Sequence, residues 1–363
     1  MPNIRSLHTD NVVQTLDKLI QFSLYTFAVF SIFSISVTQI AFTIGTLAWL
    51  IKIHLTKSWK ETKGTQVGIA ILFFCLACLL AVITSVDIES SYMHLKKLLQ
   101  FAIFFWAINT VEDERQRNLL VKLLIIAGTV AALNGFFQVW ETAVTLDSRV
   151  RGTMSHFMTF AGVLMLMSLM AFGRFLFHKP KEYWLLGSIG FMCSCLLFTL
   201  TRQAWLGFFV GSVFLVFFCN KKYLLLIPLL LISLLFFGPD AIKDRIYSLA
   251  DMKDWTFQAR IFLWEGGWNI FKDHPFTGCG FKCVDLIHSQ YPDPSGYIGR
   301  FRGMHSNLFQ LLVDTGILGL SAWLSIWATY LTAIYKRSTQ STNKNFQGLA
   351  LGAVAAVLGL LAG

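Results

Sequence analysis

Charge is scarce in this sequence: Asp, Glu, Lys and Arg make up 14% of 363 residues, where a soluble domain carries roughly a quarter. Such a chain lacks the polar groups to cover itself in water, which excludes an ordinary soluble fold. An Asp-x-Asp pair and a His/Cys cluster are also missing, so no metal site built from protein ligands is expected, and no cofactor is implied. Of the seven cysteines, Cys75, Cys78, Cys193, Cys195 and Cys219 fall inside apolar runs and read as small buried hydrophobes. Cys279 and Cys283 lie in a loop expected outside the membrane, where they either pair as a disulfide or stay free. No cleavable signal peptide is visible, because the first apolar run follows a polar stretch and lacks a small-residue cleavage site. The first helix is expected to be retained.

What the sequence has in abundance is hydrophobicity, at 55% of residues with 15% aromatic. Apolar runs of about 17–25 residues, the length of a bilayer crossing, recur along nearly the whole chain. Spans are expected near 19–35, 38–53, 66–85, 92–109, 118–138, 157–176, 183–201, 203–219, 223–238, 307–334 and 346–363. The first two form one stretch too long for a single crossing and are split around Ser36 to Thr38. The last run stops at Gly363 while still apolar, so the natural protein is expected to continue with a further helix. The fold class is therefore an all-α integral membrane protein with about 11–12 transmembrane helices.

The net charge of +10 invites a nucleic-acid reading, but its distribution points to topology instead. With the N-terminus inside, the inner loops hold Lys52, Lys57, Lys60, Lys63, Arg115, Arg117, Arg174, Lys179, Lys181, Lys221, Lys222, Lys336 and Arg337. Short outer loops hold Asp87, Glu89, Glu141, Asp147, Arg149 and Arg151. That asymmetry follows the positive-inside rule. The chain divides into N-terminal membrane helices (1–238), a hydrophilic outer loop (239–305) and C-terminal membrane helices (306–363).

The loop is where chemistry is expected. Phe257, Ile261, Trp264, Trp268 and Phe271 recur at intervals of four and three, drawing one apolar stripe along a helix that His274-Pro275 should end. This helix is expected to lie on the outer membrane surface or to cap a cavity. Arg260 sits at the edge of its stripe and either contacts a headgroup anion or snorkels at the interface. Re-entry comes at Gly303-Met304-His305-Ser306-Asn307, where Ser306 or Asn307 suits an N-cap. His305 then sits beside the positive end of a helix dipole, which favours neutral imidazole, the form a general base needs. A capping or interface role is its bland alternative.

Arg202, in Leu200-Thr201-Arg202-Gln203-Ala204-Trp205, is held between two apolar runs, either as a functional charge or as a hairpin tip. Arg149, Arg151 and His156 sit in an outer loop against the charge bias, as ligand contacts or loop charges. Arginines gathered at headgroup depth make an anion site, since the guanidinium fork fits phosphate oxygens. Lys96 and Lys97, early in their span, either snorkel outward or contact phosphate.

At these residues the sequence resembles the O-antigen ligase and O-antigen polymerase superfamily. The similar pieces are Arg149 to Thr153, Thr201-Arg202, Arg260-x-x-x-Trp264 with Pro275-Phe276-x-Gly278-x-Gly280, and His305-Ser306-Asn307 leading to Gly316-Ile317-Leu318-Gly319-Leu320. The usual His-Asn pair stands here as His-Ser-Asn, and the C-terminal helices look incomplete. The resemblance implies an inverting, metal-independent glycosyltransferase with a GT-C-type helical fold in a bacterial inner membrane, its active site periplasmic. It implies a glycan donor on undecaprenyl pyrophosphate and, for a ligase, a sugar hydroxyl of lipid A core as acceptor. His305 would be the base, Arg202 and Arg260 would bind the pyrophosphate, and Arg151 is a lesser candidate. Asp314 either orients His305 or an acceptor hydroxyl, or packs at a helix break beside Gly316. A polymerase would use a second lipid-linked glycan as acceptor, and a protein O-oligosaccharyltransferase a Ser or Thr. A transporter or flippase is the reading from a different class, but transporters place charges near the membrane midplane, and here the midplanes are nearly clean.

Overall fold

A backbone crossing lipid must satisfy its own hydrogen bonds, so long apolar runs dictate helices. The computed structural model describes residues 4–248, 255–292 and 295–362, and no strand occurs among them. Seven described helices are long and apolar enough to cross a membrane: Ile35–Thr56, Gln66–Ile83, Glu114–Glu141, Phe157–Phe177, Arg202–Cys219, Asn307–Gln340 and Lys344–Ala362. The chain is thus an all-α, multi-pass membrane protein.

Several expected spans are shorter or differently broken. The first helix runs Ile4–Phe30 and the second starts at Ile35, so the break falls before the expected Ser36 to Thr38. Ser34 decides this: its extended backbone and its Oγ, accepting from Val37 N at 3.4 Å, make it the N-cap. The expected 92–109 span is instead a short helix Ile88–Tyr92, a tighter turn over Leu95–Phe101 that exposes Lys96 and Lys97, and a helix Ala102–Thr110. The 183–201 run holds a 15-residue helix, Trp184–Phe198, and the 223–238 run a 12-residue one, Leu226–Phe237. Part of the Tyr291 to Gly296 stretch, Asp293 and Pro294, lies outside the described residues.

The chain forms two units, one of residues 1–62, 106–250 and 334–363, the other of 63–105 and 251–333. In the first, the Phe157–Phe177 helix packs against Glu114–Glu141, Trp184–Phe198, Arg202–Cys219 and Lys344–Ala362. Gly348, Gly352, Ala355 and Gly359 form a stripe of small residues on the last of these. A Cβ added at Gly173 would come within 2.6 Å of Gly352 Cα, and one at Gly207 within 2.4 Å of the Gly359 carbonyl oxygen. Small residues permit this approach, which in lipid is how helices gain packing without a hydrophobic drive.

One end of this bundle is tied by ions. Arg174, 4% exposed, donates from Nε to Glu182 Oε2 at 2.6 Å and from Nη1 to Asn118 Oδ1 at 3.0 Å, while Lys122 Nζ lies 2.6 Å from Glu182 Oε1. Burial alone would raise the Glu182 pKa, but the bonds and charges of Arg174 and Lys122 outweigh it and pull the group from 4.5 to about 2. A folded-state pKa below the unfolded one stabilises above pH 4.5, and that contribution is lost as pH falls toward about 2. Glu182→Ala, which leaves Arg174 buried without its carboxylate, is expected to destabilise the protein by about 3 kcal/mol at neutral pH. It should also flatten the acid dependence in that window. Thermal unfolding of wild type and variant in detergent across that range checks both effects.

The second unit is organised by a broken helix. Asn307–Gln340 carries Gly316 at φ 62°, ψ −164°, and the carbonyls and N–H groups freed there find partners in one loop. Cys279 N and Gly280 N donate to the Val313 and Asp314 carbonyls, both at 3.0 Å, and Ile317 N and Leu318 N donate to those of Pro275 and Phe276 at 2.9 and 3.2 Å. The loop is held from its other side as well, with Val86 N and Ser85 Oγ donating to the Cys279 carbonyl and Ser91 Oγ to that of Phe281. Cys279 and Cys283, both buried, are joined by a disulfide. The other five cysteines are free, with Cys78 and Cys195 fully buried.

Candidate active site

The hydrophilic segment supplies the second unit with its chemistry. Its main helix, Trp255–Asp273, ends before His274-Pro275 as expected, because the residue preceding proline resists helical backbone. This helix has two apolar faces. Ala259, Leu263, Gly266, Gly267 and Ile270 are buried in the unit, while Phe257, Ile261 and Trp268 from the expected stripe stay exposed. Trp264 departs from that stripe: it stacks on Phe309 at 5.2 Å and 2°, and its Nε1 donates to the Met304 carbonyl at 2.9 Å. The exposed face keeps the apolar character a lipid surface requires, and the inner face clamps the strand of chain leading to His305.

His305 has a left-handed backbone, φ 46°, unusual for a residue with a Cβ. Its exposed ring meets Phe301 edge-on at 5.3 Å. Ser306 is the cap that follows: its carbonyl accepts from Gln310 N at 2.8 Å and its Oγ from Phe309 N at 3.5 Å. Partial desolvation by the surrounding protein, and after it the positive charge of half-buried Arg260, lower the His305 pKa below its ordinary 6.5. The imidazole is thereby kept neutral near pH 7, able to accept a proton. Arg260 and His305 are brought together in one unit.

Asp314, 8% exposed, accepts from Gln310 Nε2 at 2.9 Å, and Gln310 Oε1 accepts from Met304 N at 3.0 Å. Its backbone carbonyl takes part in the helix break beside Gly316. Asp314 thus lies at the break beside Gly316, and its side chain holds Gln310, which in turn accepts from Met304 N. Gln310 was not singled out in the sequence. Its position, four residues before Asp314 and so on the same helix face, was the available signal.

The first unit holds the other candidate arginines. Arg202 opens its helix, and its Nη1 donates to the Ser248 carbonyl at 2.8 Å and to Ser248 Oγ at 3.3 Å. Buried Arg245, on the Asp240–Tyr247 helix, donates from Nε to the Leu200 carbonyl at 3.2 Å. Arg202 thus caps a short helix that the sequence reading passed over, although Pro239-Asp240 marks its start. Arg149 lies over the Phe157 ring at 4.4 Å, and His156 stacks on the same ring. Burial, and next the Arg202 charge, lower the Arg149 pKa, with Asp147 opposing them. Arg151 is exposed; its backbone N and that of Gly152 donate to Gln138 Oε1 at 3.2 and 3.1 Å, and it lines two cavities of about 510 and 590 Å³. Gln138 is the second residue the sequence reading missed, since a lone glutamine in an apolar run carries no pattern. Among the described residues no three His, Cys, Asp or Glu gather where they could hold a metal ion.

The fold and these groups define a polytopic α-helical membrane protein with a polar, arginine-bearing segment set among its helices. Residues 187–324 match the family model of O-antigen ligase, which places that segment in the O-antigen ligase and polymerase-like superfamily. The matched stretch contains Arg202, Arg260, His305 and Asp314, and leaves Arg151 outside it. No curated protein matches the chain.

Proposed function

We propose that the chain is an O-antigen ligase: an inverting, metal-independent glycosyltransferase of a bacterial inner membrane, acting at the periplasmic face with its N-terminus cytoplasmic. The observation that carries this reading is the imidazole of His305 held neutral beside Arg260 inside the matched domain. In the proposed reaction the acceptor hydroxyl oxygen attacks the anomeric carbon of a glycan on undecaprenyl pyrophosphate. A new C–O bond forms as the bond to the pyrophosphate breaks, the electron pair leaves with the pyrophosphate, and His305 takes the acceptor proton. Arg260, in the same unit as His305, neutralises the departing diphosphate, because guanidinium donors fit phosphate oxygens in pairs.

The acceptor is proposed to be a sugar hydroxyl of lipid A core. Purified protein incubated with undecaprenyl-pyrophosphate-linked glycan and a lipid A-core acceptor, with EDTA present, tests the reading. Expected are a new glycosidic bond to the core and release of undecaprenyl pyrophosphate. Movement of the lipid with no new bond would overturn the enzyme reading in favour of a flippase, and product only from a second lipid-linked glycan would make the chain a polymerase.

A further inference from the structure

We propose that Gln310 and Trp264 are positioning residues that fix His305 through the backbone of the residue before it, Met304, an inference that rests on His305 acting as the base. Met304 is fully buried, and both polar groups of its backbone are taken by side chains from different helices. Its N–H donates to Gln310 Oε1 at 3.0 Å, and its carbonyl accepts from Trp264 Nε1 at 2.9 Å. Neither side chain is free to drift. Gln310 is tethered at its other end to buried Asp314 by a 2.9 Å bond, and Trp264 lies flat on Phe309.

The arrangement has a physical purpose. A histidine at φ 46° in a loop would relax toward extended or right-handed backbone, and such conformations persist only where the surroundings over-determine them. Here the two peptides flanking Met304 are each held by a side chain, and the residue following His305 caps a helix, so the backbone is held on both sides of His305. The amide of Gln310 is chemically specific for the task. One end must accept from Met304 N–H and the other must donate to Asp314; an ionised Glu lacks the donor and a Leu lacks both. Asp314 then acts on His305 by anchoring Gln310.

The test uses full-length protein and the transfer assay above, with Gln310→Leu, Trp264→Phe and the double variant. Trp264→Phe keeps an aromatic ring to pack on Phe309 while removing the Nε1 donor together with part of the indole. Each single variant is expected to lower kcat by up to about 10²-fold, the cost of a misplaced catalytic group, with KM for the donor unchanged. Because both act through the backbone of one residue, Met304, the double variant should cost less than the product of the two. Labelling of His305 by diethyl pyrocarbonate, followed by peptide mapping, should shift its pH midpoint in the same variants. Should Gln310→Leu fail to fold, Trp264→Phe alone decides. Wild-type kcat in folded variants, or a rise in KM with kcat intact, would overturn the positioning role. If His305→Ala is inactive while these variants are fully active, only the positioning role falls; an active His305→Ala removes the base reading itself.

Discussion

Replacing His305 with alanine is expected to lower transfer by about 10²–10⁴-fold, the usual contribution of a general base, while the protein still inserts and unfolds at its normal temperature. The side chain is exposed and meets only the Phe301 ring edge among its ring contacts, so its loss removes little packing. The pH profile carries the same assignment. Desolvation and the Arg260 charge lower the His305 pKa, so the neutral, proton-accepting form persists below pH 6.5, and the acid limb of kcat/KM should lie under that value. Replacing Arg260 by Gln removes one of the two causes and should move the limb upward, besides weakening the donor's diphosphate contact. Near-normal product from His305→Ala would end the general-base proposal.

A comparable effect on stability is expected from Gly278→Ala. A Cβ there would sit 2.5 Å from Asp314 C, Thr315 N and the Val313 carbonyl oxygen, all backbone atoms that no rotamer change can clear. The residue also has φ +69°, which a side chain tolerates poorly. Strain and overpacking together should cost about 2–4 kcal/mol. More than a loop is at stake, because the backbone bonds from this turn satisfy the groups freed at Gly316, and in lipid no water replaces them. Gly162→Ala, in a helix with nothing within 4 Å of the added carbon, should be neutral to slightly stabilising. Thermal unfolding in detergent compares the two; equal stability would mean that the loop and the break are not locked together.

Much of the candidate site could be read from residue order. His274-Pro275 marked the helix end, and Ser306 or Asn307 the cap, of which the structure uses Ser306, each through a local backbone preference. The apolar stripe on Trp255–Asp273 was legible only in part, since Trp264 points to Met304, forty residues away along the chain. Periodicity says which side chains share a face and is silent on a buried N–H and its partner. Arg245, Gln138 and Gln310 went unread because each is defined by hydrogen bonds to particular backbone or side-chain groups, which no hydrophobic or charge pattern marks.

Membrane residence, an all-helical backbone and the bunching of basic residues between apolar runs are properties of the sequence alone, because apolar length and charge are counted residue by residue and lipid leaves the backbone few alternatives. Packing alone decided how Gly316 is bridged and that Trp264 reaches the residue before His305. Those outcomes depend on donors and acceptors meeting across long separations within about 3 Å, a condition that only the folded chain fulfils.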